Sequence, residues 1–177
     1  LGSVASQSLY QLDTILMGVL KLDKNLIAIY KNATIIPFTI LFIPSVIMTT
    51  DFVLISKNYN NKKFLVEYRN KMLKFLFLLS TVGTIVSFFV SEKLIVLLYG
   101  KQYADSASIM NILMIGIIAA FSLRTPNGNI LAAVGMSKWN AILSYGSVAI
   151  NIIMNYFFIR IYGVYGAAIA TSLVMWI

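Results

Sequence analysis

Five stretches of membrane length contain no Asp, Glu, Lys or Arg: 32–50, 75–91, 106–123, 139–159 and 161–177. A helix rises ~1.5 Å per residue, so about 20 residues cross a hydrocarbon core of ~30 Å. Residues 2–20 form a sixth, more polar candidate, interrupted only by Asp13. A soluble domain can bury one such run but not five or six in succession. Only 11% of this chain is charged, against about 25% in soluble domains. The expected fold class is all-α, a polytopic transmembrane helix bundle. Its spans are expected at about 2–20, 26–50, 74–91, 107–134, 139–159 and 164–177, within one transmembrane domain over 1–177.

The residues that are missing restrict the chemistry. There is no Cys and no His, so thiol nucleophiles, disulfides and the commonest general base are absent. With only six carboxylates besides, no catalytic residues, metal site or cofactor are expected, and the chain is read as a non-enzyme. Leu1 opens in mid-pattern and Trp176-Ile177 ends inside an apolar run, as in a piece of a longer transporter-like chain.

The net charge of +8 is no nucleic-acid signal, because the basic residues cluster where a loop should be. Lys57, Lys62, Lys63, Arg69, Lys71 and Lys74 fall in one window, read as a basic loop over 51–73. Within it, Phe64, Leu65, Tyr68 and Met72 share a helical face, which predicts a short interfacial helix. The positive-inside rule makes this loop cytoplasmic, together with the loop that carries Lys138. Lys21, Lys24, Lys93, Lys101 and Arg160 then face outward, so the inside holds seven basic residues against five.

Pro37, Pro44 and Pro126 all fall inside spans. Each removes a backbone donor, and Pro126 predicts a kink in its span. In lipid such breaks survive where neighbouring helices or cavity water satisfy the freed groups.

Four stretches carry a more specific pattern. They are Leu12-Asp13-Thr14-Ile15-Leu16-Met17-Gly18, Leu97-Leu98-Tyr99-Gly100-Lys101-Gln102-Tyr103, and Asn129 to Lys138 with its Ile-Leu-x-Ala-x-Gly-x-x-Lys pattern. The fourth is Asn151-Ile-Ile-Met-Asn155 followed by Tyr162-Gly163-Val164-Tyr165-Gly166-Ala167-Ala168-Ile169-Ala170-Thr171. In this order they resemble the polysaccharide flippases, the Wzx-like exporters of O-antigen and capsule repeat units. That family shares a superfamily with lipid II flippases and multidrug MATE exporters. The resemblance covers nearly the whole chain. It departs at Arg160, where the family often has Pro, at Ala28, where a Gly is usual, and at Lys31, where a small or polar residue is usual.

The resemblance implies a MATE-like lobe of about six helices, those that open the second lobe of such a transporter. It implies flipping of a polyprenyl-diphosphate-linked oligosaccharide from the inner to the outer leaflet, for surface polysaccharide biosynthesis. The expected partners are the lipid-linked oligosaccharide, the bilayer, and glycan polymerase and ligase proteins, in a bacterial or archaeal cell membrane. Coupling to protons, sodium or the membrane potential is open. The alternatives are a MATE-type drug/cation antiporter and a membrane-embedded glycan polymerase or ligase. The latter should show a large external loop with paired catalytic groups, which this chain lacks.

Three charged residues inside spans are the cavity candidates. A charge at mid-span costs about 2.5–3.5 kcal/mol on insertion scales. Arg124 either lines a cavity, where a guanidinium can grip phosphate oxygens, or pairs structurally or snorkels. Lys31, a turn or two into its span, either snorkels to headgroups or adds positive potential to a cavity. Asp13 either couples transport to a cation or forms a charge pair with Arg124 or Lys31. Asn151 and Asn155, one turn apart, are read as interhelix hydrogen-bonding groups.

Overall fold

The structure, a computed structural model, describes residues 2–177, with side chains from Gln11 onward. It is all-α: α1 (Gly2–Val19), α2 (Lys24–Ile40), α3 (Phe42–Lys57), α4 (Lys62–Tyr99), α5 (Ser106–Ala119), α6 (Thr125–Ala133) and α7 (Ser137–Met175). A 3-10 turn at Lys101–Tyr103 links α4 to α5, and a π-helical turn at Ala120–Arg124 joins α5 to α6. Taken with their continuations, four helices are long and apolar enough to cross a membrane: Lys24–Lys57, Lys62–Tyr99, Ser106–Ala133 and Ser137–Met175. The side chains of Ser3, Gln7 and Tyr10, part of the polar side expected on the first span, lie outside the described residues.

The pattern of burial is inverted relative to a water-soluble bundle. On α4 the buried positions include Ser80, Thr84, Ser87 and Ser91, spaced by three and four residues. On the same helix Phe77, Leu78, Phe88 and Phe89 are exposed. The first half of α7 repeats this, with Ser144, Ser147, Asn151 and Asn155 inside and Leu143, Ile153 and Phe157 outside. Lipid solvates large apolar side chains, so small and polar residues take the helix contacts, where backbones approach closely and hydrogen bonds form.

α5 is the centre of the bundle. In its rod 67% of the apolar stretch is buried, against 22–28% in the other three. Its Ile109, Leu113 and Ile117 form one core with Met17 of α1, Tyr30 and Ala33 of α2, Leu76 and Ile95 of α4, and Ala167 and Ala168 of α7. α4 and the α5–α6 rod run antiparallel in a single register. Asn111 Nδ2 donates to Ser91 Oγ at 3.0 Å, Thr84 Oγ1 to the Met114 carbonyl at 3.0 Å, and Arg69 Nε to Asn127 Oδ1 at 2.9 Å.

The stretch 51–73, expected as a loop, is helical except around residues 58–61. α3 runs on to Lys57 and α4 begins at Lys62, where Asn61 Oδ1 accepts the Phe64 N–H at 3.0 Å. Charge moves a helix out of the hydrocarbon but does not break it, and the turn falls at Asn58-Tyr59-Asn60-Asn61, rich in turn-forming residues. The expected interfacial helix is thus the first three turns of α4. At its other end α4 also passes the expected limit of residue 91 and continues to Tyr99. Its 38 residues are about 57 Å long, so it projects well beyond a bilayer core.

A second, smaller core occupies the basic end. Met48 and Ile55 of α3, Tyr68 of α4 and Ala133 of α6 pack together. Tyr68 donates to Asp51 at 2.7 Å, and Ser56 Oγ to the Ala133 carbonyl at 2.8 Å. α4 reaches both cores as one unbroken helix, whereas the two other rods that do so are interrupted on the way. The α2–α3 rod breaks at Leu41, between Pro37 and Pro44. The α5–α6 rod widens into the π turn just before Pro126. There the Thr125 hydroxyl donates to the Ala120 carbonyl at 2.9 Å, so a side chain serves one backbone acceptor of the distorted turn.

α7 is two antiparallel arms. Asn151 Nδ2 donates to Thr171 Oγ1 at 3.2 Å, although twenty residues of straight helix would separate them by about 30 Å. The chain reverses at Gly163, whose φ of 58° and ψ of −134° leave the helical region. Gly166 packs so tightly against the first arm that a Cβ there would sit 2.0 Å from the Phe158 carbonyl oxygen.

Gly166→Ala is therefore expected to destabilise the protein by about 1–3 kcal/mol, seen as a lowered thermal midpoint in detergent micelles. Gly83→Ala, on α4 with open space around its Cβ position, is expected to leave the midpoint unchanged or raise it.

Candidate functional site: a buried carboxylate and a cationic pocket

The three cavity candidates occupy three different settings. Asp13 is 0% exposed, at the junction of α1, α2 and both arms of α7. Tyr30 Oη donates to Asp13 Oδ2, Thr171 Oγ1 donates to the same oxygen at 2.6 Å, and Asn155 Nδ2 donates to Oδ1 at 2.8 Å. Asn151 stands behind Thr171, donating to its hydroxyl. All three donors to the carboxylate are neutral. The reversal at Gly163 is what allows this, because Asn155 comes from the first arm and Thr171 from the second.

The expected charge pair of Asp13 with Lys31 is not formed. Tyr30 points inward to the carboxylate, and its neighbour Lys31, about 100° further round the helix, is exposed. Lys31 fits the snorkelling reading.

Two acceptors in this cluster have no hydrogen-bond partner among the described residues: Asn151 Oδ1 and Asn155 Oδ1. Their residues are 1% and 0% exposed. A buried unpaired acceptor costs about 1–3 kcal/mol. The cluster therefore holds one carboxylate and two amide oxygens with unused acceptor capacity, the oxygen-donor chemistry suited to a hard cation or a proton. Among the described residues no three His, Cys, Asp or Glu side chains come close enough to share a metal ion, so any ion here would rest on amide and hydroxyl oxygens beside a single carboxylate.

Arg124 ends the π turn and lines a cavity of about 510 Å³ between α6 and the first arm of α7. Asn127, Gly128 and Leu131 continue the α6 wall at three- and four-residue spacing. Leu143, Ser144, Ser147 and Ile150 form the α7 wall. Arg124 is the one charged side chain among the lining residues. The cavity is otherwise apolar with a few amides and hydroxyls, the composition of a pocket for an amphiphile.

The depth of Arg124 follows from the α4 register. Leu73, Lys74 and Phe77 line a second cleft of about 220 Å³ together with Ser122 and Leu123. Arg124 thus lies near the level of Lys74, where the charge-free stretch of α4 begins. Of the readings open to Arg124, its place in the wall of a cavity is the one the structure displays.

Sequence reasoning missed Tyr30 and Thr171 as partners of Asp13. Both sit in apolar runs and nothing local marks them. Asn151 and Asn155 were legible as a hydrogen-bonding face, and the structure gives that face its partners. Arg69 and Asn127 were also missed, since their contact joins residues 58 positions apart.

No protein-family model, curated protein or solved structure matches this chain.

Tyr30→Phe removes one donor to the Asp13 carboxylate while keeping the ring. A hydrogen bond to a charged group contributes about 1.5–3 kcal/mol, so the thermal midpoint should fall measurably. The exposed Tyr59→Phe is the matched control and should leave it unchanged.

Proposed function

We propose that the chain is a helical lobe of a membrane transporter that flips a polyprenyl-diphosphate-linked oligosaccharide from the inner to the outer leaflet. The observation that carries the reading is Arg124 as the one charged side chain lining a largely apolar cavity. A guanidinium grips phosphate oxygens through parallel charge-assisted hydrogen bonds, and apolar walls suit the first units of a prenyl chain. The resemblance of the Asp13, Tyr99-Gly100, Asn129–Lys138 and Asn151–Thr171 stretches to polysaccharide flippases supports the same substrate class. Alternating access by rocking of two lobes requires no covalent chemistry.

The Asp13 cluster supplies the coupling element of this reading. A buried anion with neutral donors and unused amide oxygens around it is neutralised by a proton or a monovalent cation. Binding there links α1 and α2 to both arms of α7, so occupancy biases how these helices pack. A drug/cation antiporter would present a carboxylate to its substrate. In this chain Asp13 is fully buried while Arg124 faces the cavity, which favours an anionic substrate. Orientation follows from the basic segment: with Lys57 to Lys74 in the cytoplasm, the α6–α7 turn next to the cavity is on the side where such substrates are made.

The test is delivery of lipid-linked oligosaccharide to the outer leaflet in a host lacking its own repeat-unit flippase. Arg124→Ala at equal protein level should cut export at least tenfold. Undiminished export would remove Arg124 from the substrate path and with it the phosphate reading. In proteoliposomes with imposed sodium or pH gradients, Asp13→Asn should make transport indifferent to the gradient that drives the parent protein. A variant that still responds would detach Asp13 from coupling.

A further inference from the structure

Arg124 has a neighbour that the cavity lining alone does not reveal. Asn127, one helical turn further along the same face of α6, also lines the cavity. Its Oδ1 accepts a hydrogen bond from Arg69 Nε at 2.9 Å. Arg69 lies on α4, so an exposed side chain from the basic segment is drawn across to the rim of the pocket. Resting on the phosphate-binding reading of Arg124, we propose that Arg69 is the second cation of this site. Asn127 is the positioning residue that holds its guanidinium there, and the pair selects a diphosphate over a monophosphate.

The chemistry of the contact supports this. A guanidinium carries five N–H groups in one rigid plane. Asn127 takes only the Nε–H, the donor nearest the stem. The Nη groups, which form the fork that matches phosphate geometry, make no hydrogen bond among the described residues. Had the bond run through the Nη groups, the fork itself would be occupied.

The placement also fits. Asn127 and Arg124 are three residues apart, so they share a face of α6. Arg124 lies near the level of Lys74, at the hydrocarbon edge, and Arg69 lies just beyond it on the same helix as Lys74. The bond to Asn127 therefore brings Arg69 to α6 one helical turn from Arg124. A monophosphate engages one of them, whereas two linked phosphoryl groups engage both. Lys62, Lys63 and Lys71, all exposed on the first turns of α4, add positive potential along the approach.

The probes are farnesyl diphosphate, farnesyl monophosphate and inorganic pyrophosphate, titrated against the protein in lipid nanodiscs. Arg69→Gln should weaken farnesyl diphosphate binding at least tenfold and farnesyl monophosphate binding no more than about twofold. Asn127→Ala should reproduce both effects, and the double variant should be no worse than either single one, because the two residues act as a unit. Pyrophosphate should bind more weakly than farnesyl diphosphate yet show the same dependence on Arg69. Thermal midpoints of both variants should match the parent, which separates loss of a ligand contact from loss of the α4–α6 contact.

Equal losses for mono- and diphosphate, or no loss at all in Arg69→Gln, would overturn the proposal. Its failure is distinct from failure of the phosphate reading. If Arg124→Ala abolishes binding of both prenyl ligands while Arg69→Gln changes neither, only the second cation is refuted. If Arg124→Ala also leaves binding intact, both fall.

Discussion

Three hydrogen bonds to one carboxylate hold the helical arrangement together. Asp13 receives Tyr30 from α2, Asn155 from one arm of α7 and Thr171 from the other. In lipid the apolar surfaces of helices gain little by meeting each other, because the tails solvate them equally well. Specific polar contacts then decide which helices pair and in what register. The rest of the bundle depends on this junction, since it fixes α1 and α2 against the reversed α7, whose second arm packs on the central α5. At the α5–α7 contact Gly116 lies so close to α7 that a Cβ would meet the Ser172 Cα at 2.7 Å.

The bundle's irregularities have a common logic. A helix interior that loses a backbone donor inside a membrane must find another partner. The break at Leu41 and the π turn before Pro126 divide their rods between two hydrophobic cores, the large one around α5 and the small one around Tyr68. Arg124 sits at the second of these divisions. π turns are rare and recur at functional positions in helices. Here the widened turn puts a cation at the boundary between the two cores and beside the apolar cavity.

Much of this was written in the sequence as hydrophobic length and polar spacing. The charge-free runs mark the rods, Pro126 marks the disturbed helix, and Asn151 with Asn155 marks an inward face. The basic stretch was misread because charge density was taken as a sign of loop. Lysines exclude a segment from hydrocarbon but are good helix formers. Asn61, followed by Lys62-Lys63-Phe64, was the available signal of a helix start. The partner of Asp13 was not legible, because charge alone points to Lys31 or Arg124, while a tyrosine and a threonine inside apolar runs carry no local sign of their role. Depth was equally hidden: the level of Arg124 is set by its register against α4, a long-range relation.

The junction also has a history within each molecule. Asp13 leaves the ribosome 142 residues before Asn155 and 158 residues before Thr171. At about 5–20 residues per second that interval is on the order of 10–30 s. Tyr30 arrives only seventeen residues after Asp13, so for most of that interval it is the one native donor at hand. The nascent chain must shelter an incompletely bonded acid, by protonation or by the insertion machinery, until the second arm of α7 folds back. The second arm of α7 closes the binding shell begun on α1.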